Sequence, residues 1–154
     1  MYLTYNHNLV INKGRKMTTS KQIKSNISKE GKLSISIDEV EIPEPKDGEV
    51  LIKVQATPIN PSDLGLLVGP ADVSSLKVIK NGALVEMQVP EGLIRSVAAR
   101  FDQNLPVGNE GAGIVEAAGK GAEHLIGKVV GVAGGAMYSE YRCLPAMSCL
   151  EMNE

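Results

Sequence analysis

The sequence predicts a mainly β domain, a closed or partly open β-barrel carrying one or two short helices. Three observations lead there. Apolar residues alternate with polar ones at Leu33, Ile35, Ile37 and again at Val50, Ile52, Val54, Ala56, the period of a half-buried strand. Later runs are short, Gly-bounded and rich in Val or Tyr, at roughly ten-residue spacing, as in all-β sandwiches and barrels. Only one longer stretch has apolar residues at helical spacing.

The elements follow in order. Residues 1–16, "MYLTYNHNLVINKGRK", show no period and end in a basic patch, so a disordered extension or an upstream start is expected there, with the domain running over 17–154. The two alternating segments are joined by the turn-forming "PEPKDGE" and read as neighbouring strands.

"NPSD" follows, with Asn60 suited to an N-cap, Pro61 to the first helical position, and acidic Asp63 to the third, where its charge complements the helix dipole. Asn81-Gly82 between alternating runs is a hairpin signal. In "PEGLIRSVAARF", Leu93, Ile94, Val97, Ala98 and Phe101 form one face of an amphipathic helix, leaving Arg95 and Arg100 for the outer face. "AGIVEAAG", "KVVGVAGG" and "YSEYRCL" supply the remaining strands.

Composition bounds the function. A chain of 154 residues holds one ordinary domain. It is 43% hydrophobic but 3% aromatic, with no Trp and one Phe, so the core must come from Val, Ile, Leu and Ala. Such a chain lacks stacking platforms for single-stranded nucleic acid, and a net charge of -2 gives no basic field for nucleic acid or an anionic membrane. The run Leu9–Ile11 is too short for a signal sequence, and no stretch approaches a membrane span. A soluble cytoplasmic protein is expected. Cys143 and Cys149 form no CxxC, and with only His7 and His124 in the chain no metal cluster can be assembled from them.

Self-contained catalytic motifs are missing. A dinucleotide-binding GxGxxG places glycines where the pyrophosphate meets a helix N-terminus. "GAGIVE" has Glu116 at the third glycine and "GKGAEH" has His124 there. No phosphate-cradling GxxxxGK[ST] occurs, and neither His suggests a hydrolytic triad.

Three blocks do carry a likeness: "IPEPKDGEVLIKVQATPINPSD", "VGNEGAGIVEAAG" and "GKVVGVAGGAMYSEYRCLPA". Their order over roughly 33–147 resembles the N-terminal GroES-like barrel of the medium-chain dehydrogenase/reductase superfamily, which includes the alcohol dehydrogenases. Zinc-dependent members of that superfamily carry a Cys ligand in the first block and a His ligand in the second. Here those positions hold Asn60 and Asn109, and amides are poor zinc ligands. The four-cysteine lobe of structural zinc is absent too.

The resemblance therefore implies the zinc-independent, quinone oxidoreductase-like branch, which moves hydride from NADPH or NADH to a small-molecule acceptor such as a quinone or another electron-poor carbonyl. On this reading Asn60, Ser62 and Asp63 are the catalytic candidates, and Asn109, Glu110 and Tyr138 line the substrate cleft. The nicotinamide would be held mainly by a Rossmann domain that this chain lacks, so the isolated chain is expected to be inactive. Enoyl thioester reductases of the superfamily place a Tyr donor near Pro70-Ala71, where this sequence has no hydroxyl.

Other readings stay open. Asn60 and Asp63 would also serve as helix caps alone, Asn109 as a turn residue, and Glu110 as a paired structural carboxylate. A non-catalytic GroES-like interaction or assembly module is the alternative function. An uncovered cleft face would promote self-association, with a homodimer as the expected assembly.

Overall fold

A computed structural model describes residues 19–152, so the extension expected at 1–16 lies outside the described residues. Ten strands form two sheets. They are β1 (Thr19–Ile27), β2 (Lys32–Glu41), β3 (Glu49–Ala56), β4 (Asp72–Ile79), β5 (Leu84–Gln88), β6 (Leu105–Pro106), β7 (Glu110–Ala118), β8 (Val129–Ala133), β9 (Tyr141–Pro145) and β10 (Cys149–Glu151). Helix α1 covers Pro61–Leu67 and α2 covers Glu91–Ile94. The first sheet has the order β4-β5-β2-β1-β6, the second β10-β8-β7-β3-β9.

The sheets do not close into a barrel. Their seam is local: Ile23 N–H donates to Tyr138 O at 2.8 Å, Glu140 N–H donates to Lys21 O at 3.0 Å, and Gln22 bridges Ser139. The fold over the described residues is thus mainly β and open.

One expectation about pairing is corrected. The alternating segments at 33–37 and 50–56 are strands but not neighbours: β2 pairs with β1 and β5, whereas β3 pairs with β7 and β9. The intervening "IPEPKDG" leads the chain from one sheet to the other. The partner of β2 is instead "TSKQIKSNI", registered from Thr19↔Glu41 to Ile27↔Leu33. That segment carries only two aliphatic residues, so its alternation is too weak to signal a strand by itself.

Two apolar centres result. Val50, Ile52, Val115, Val130, Met137 and Leu144 pack with neighbours inside the second sheet. Ile27, Leu33, Met87 and Val89 form the other, covered by Ile94, Val97 and Phe101. The segment expected as one helix begins as α2 and tightens to a 3₁₀ helix over Arg95–Arg100, which still turns Ile94, Val97 and Phe101 onto the first sheet. Arg95 is exposed as expected, but Arg100 turns inward. The Asn81-Gly82 hairpin forms, both residues taking positive φ of 54° and 89°, which Asn and Gly tolerate.

Candidate functional site

The chain reaches the site at the end of β3. Asn60 has an extended backbone (φ -96°, ψ 159°) and caps α1, with Pro61 opening the helix. Asp63, three residues on, folds back: its Oδ2 accepts Asn60 N–H at 2.8 Å. The Asn60 side chain turns away from the helix and donates its amide to Glu110 Oε1.

The second block arrives opposite. Asp63 Oδ1 accepts Asn109 N–H at 3.0 Å, and Asn109 Nδ2 donates to Ser62 Oγ at 3.1 Å. Thr57 Oγ1 donates to Glu110 O at 2.6 Å. Two stretches about fifty residues apart in sequence are laced together by polar groups. Asp63 is the centre, only 1% exposed, with each carboxylate oxygen held by a backbone N–H. A carboxylate can be buried at tolerable cost only when hydrogen bonds replace its water.

The glycines of the second block answer to close approach. Gly108 has φ 96°, and a Cβ there would lie 2.5 Å from the Tyr138 ring. At Gly113 a Cβ would meet Lys53 O at 2.2 Å, so β7 approaches β3 only because that side chain is missing. Tyr138 is buried and its hydroxyl donates to Pro58 O at 3.0 Å. Burial, and secondarily the nearby Asp63 carboxylate, raise its pKa above the ordinary tyrosine value.

All six residues singled out from sequence therefore meet in one cluster, but with different access. Asn109, Glu110 and Ser62 are exposed, Asn60 is half-buried, and Asp63 and Tyr138 are enclosed. A groove of about 480 Å³ lies along the seam, walled by Ile23, Ile37, Val54, Ile59 and Met137, and Tyr138 lines it. A second hollow of about 500 Å³ is lined by Glu110 together with Gly111, Gly131, Met147 and Leu150. Asn60, Ser62 and Asn109 line neither.

Sequence reasoning missed Thr57, whose hydroxyl sits at the end of β3, and Arg100, whose partners are two backbone carbonyls and the Ser25 hydroxyl. A carbonyl acceptor leaves no trace in the sequence.

Among the described residues no group of three or more His, Cys, Asp or Glu side chains is placed to hold a metal. Cys143 and Cys149 are both free thiols. Burial, reinforced by Glu49, pushes the Cys143 thiol up to about 11, and burial also raises Cys149.

The sequence pattern of the family described as the alcohol dehydrogenase GroES-like domain matches residues 46–154. The chain belongs to this family. Over 132 residues this GroES-like domain is 32% identical to a zinc-type alcohol dehydrogenase-like protein of Schizosaccharomyces pombe, spanning 80% of the present chain and 31% of that protein.

Among solved structures it is similar to a quinone oxidoreductase of Pseudomonas syringae, with a TM-score of 0.56 at 20% identity, covering 88% of this chain and 34% of that one. It is also similar to a protein of Bacillus thuringiensis titled as an NADPH:quinone reductase, with a TM-score of 0.58 at 24% identity, covering 88% and 34%. At such identities the structural likeness establishes the fold. The GroES-like domain spans about a third of the length of these relatives.

Proposed function

We propose that this GroES-like domain is the substrate-side half of an NAD(P)H-dependent oxidoreductase acting on a quinone or another electron-poor carbonyl compound. The observation that carries the reading is the joining of the two blocks at one place: Asn60 and Ser62 from the first, Asn109 and Glu110 from the second, with Asp63 tying them. A reduced nicotinamide, when bound, supplies the hydride; the chain's part is to hold the acceptor and meet the negative charge that develops on its oxygen.

Donor groups for that task are the Asn60 amide and the Ser62 hydroxyl. Asp63, enclosed and fully engaged, serves by fixing their position. The donor set does not fit catalytic zinc, because the two positions that would need thiolate or imidazole hold amides already engaged with Glu110 and Ser62. The sequence carries no GxGxxG turn for a pyrophosphate, so on this reading cofactor affinity comes mainly from a nucleotide-binding unit of the kind the longer relatives have room for. The 154-residue chain alone is therefore expected to be silent.

The test is a rate. The purified chain with NADPH and a quinone should oxidise cofactor no faster than buffer, while a form extended by a nucleotide-binding unit should turn over, and Ser62→Ala should lower its kcat/KM by roughly tenfold. Steady oxidation by the chain alone would overturn the inactivity. An extended form silent toward both quinones and enones would overturn the reading itself.

A second reading is a non-catalytic interaction module. It is favoured by one observation, the apolar surface around β10, where Met147 is 92% and Leu150 70% exposed beside Met152 and Val129. Isolated apolar side chains are normal on a surface, but a contiguous patch marks a face that another surface covers.

A further inference from the structure

Helix α1 has seven residues, contains Gly65, and buries a single side chain, Asp63. Helices this short are not self-supporting in water, since nucleation costs more than one turn of hydrogen bonds returns. Its placement must come from outside. The N-terminal end is held by Asn109 and Glu110.

The C-terminal end is held by two side chains, Arg100 and Ser25, of which Arg100 makes the larger share of the contacts. Arg100 Nη2 donates to Leu66 O at 3.0 Å and to Ser25 Oγ at 3.2 Å, and Nη1 donates to Gly65 O at 3.2 Å. Ser25, fully buried on β1, donates to the same Leu66 O at 2.6 Å. These are carbonyls that a helix end leaves without intrahelical partners, and the guanidinium also opposes the negative end of the helix dipole. The contact is held at a cost: Arg100 Nε is buried without a hydrogen-bond partner, and desolvation lowers the Arg100 pKa.

We infer that Arg100 is a positioning residue, a latch that fixes the C-terminal end of α1 and thereby the angle at which Asn60 and Ser62 are presented at the other end. Arg100 closes the 3₁₀ helix that follows α2, so the β4–β5 hairpin and that helix together form an arm that brings one guanidinium to α1. Arg suits the task because its planar fork satisfies three acceptors from two elements at once, which a lysine ammonium cannot reproduce in the same geometry. The functional meaning of the latch rests on the reading under "Proposed function"; its mechanical part does not.

The experiment follows the side-chain amide signals of Asn60 and Asn109 by ¹H–¹⁵N correlation NMR in the 154-residue chain. In Arg100→Gln both pairs should move toward the positions of solvent-exposed asparagine amides while the methyls of Val130 and Leu144, in the other apolar centre, stay put. Arg100→Ala should show the same loss, and guanidinium ion at low, non-denaturing concentration should return the signals toward wild type. Arg100→Lys should shift both pairs part of the way.

Unmoved Asn60 and Asn109 signals in a folded Arg100→Gln chain would overturn the inference. If the Arg100 variants do not fold, Ser25→Ala decides instead, since it removes one anchor of the same latch; unmoved Asn signals there would also overturn it. These readouts need no cofactor or acceptor, so their outcome is separate from that of the turnover assay.

Discussion

The carboxylate of Asp63 and the backbone N–H of Asn109 stand 3.0 Å apart across 46 residues of sequence. With the second Asp63 oxygen on Asn60 N–H, this buried pair of bonds sets the distance between the two blocks on which the site depends.

Asp63→Asn tests that relationship with little change in volume. One amide oxygen can still accept, but the new NH₂ group must face a backbone N–H. Loss of a buried, charge-assisted acceptor is expected to cost about 2–4 kcal/mol. Urea denaturation should show the midpoint falling with the m-value unchanged, and a loss within error of zero would show that the pair does not hold the blocks together.

Gly108→Ala should be similarly harmful for a different reason. The new Cβ would lie 2.5 Å from the Tyr138 ring and 2.6 Å from the Tyr138 backbone nitrogen on a backbone with φ 96°, so swinging the ring away is not enough and the turn itself has to move. A cost of about 2–3 kcal/mol combines overpacking with left-handed strain. Thermal unfolding measures it, and displaced Tyr138 backbone and ring signals in NMR spectra would show that this contact is what shifts.

Ala136 predicts the opposite sign. It is buried in the "GGAMY" turn with φ 70°, a conformation that penalises any Cβ. Ala136→Gly relieves a strain of about 1–2 kcal/mol but frees the unfolded chain, leaving a net gain of about 0.5–1 kcal/mol. A lower melting temperature in that variant would contradict the account of the turn.

Alkaline pH should reveal the half-buried Cys143 thiol. Cys143 titrates at an ordinary value of 9.0 when free and at about 11 in the fold, where its neutral form is favoured by burial. Its contribution is complete below pH 9, declines as the unfolded state releases its proton first, and is lost by about pH 11. The buried Tyr138 acts with the same sign, above the ordinary tyrosine value. Stability measured from pH 8 to 11 should fall, and more shallowly in Cys143→Val. An unchanged slope in the variant would remove Cys143 as a cause.

How much of the site was legible depended on the range of the signal. Pro61 at a helix start and Asn81-Gly82 at a hairpin are encoded by residues beside one another, and both elements formed where the spelling placed them. Asn60, Ser62, Asp63, Asn109, Glu110 and Tyr138 were singled out through the likeness of whole blocks, and the fold places them near one another. Thr57 and Arg100 escaped because their partners are mostly backbone carbonyls, which every residue has and no sequence marks, with the Ser25 hydroxyl 75 residues from Arg100.

The sequence by itself determined the class of the elements: alternation at Leu33–Ile37 and Val50–Ala56 makes strands because a period of two puts one face in the core whatever the partner is. Only the tertiary structure decided which strands meet. It separated those two segments into different sheets, paired β2 with the weakly patterned β1, joined the two sheets only along a local seam, and turned Arg100 from an expected outer face onto the end of α1. The physical reason is that strand pairing and carbonyl capture are long-range choices. They are settled by what else must be buried at the same time, and local periodicity does not contain that information.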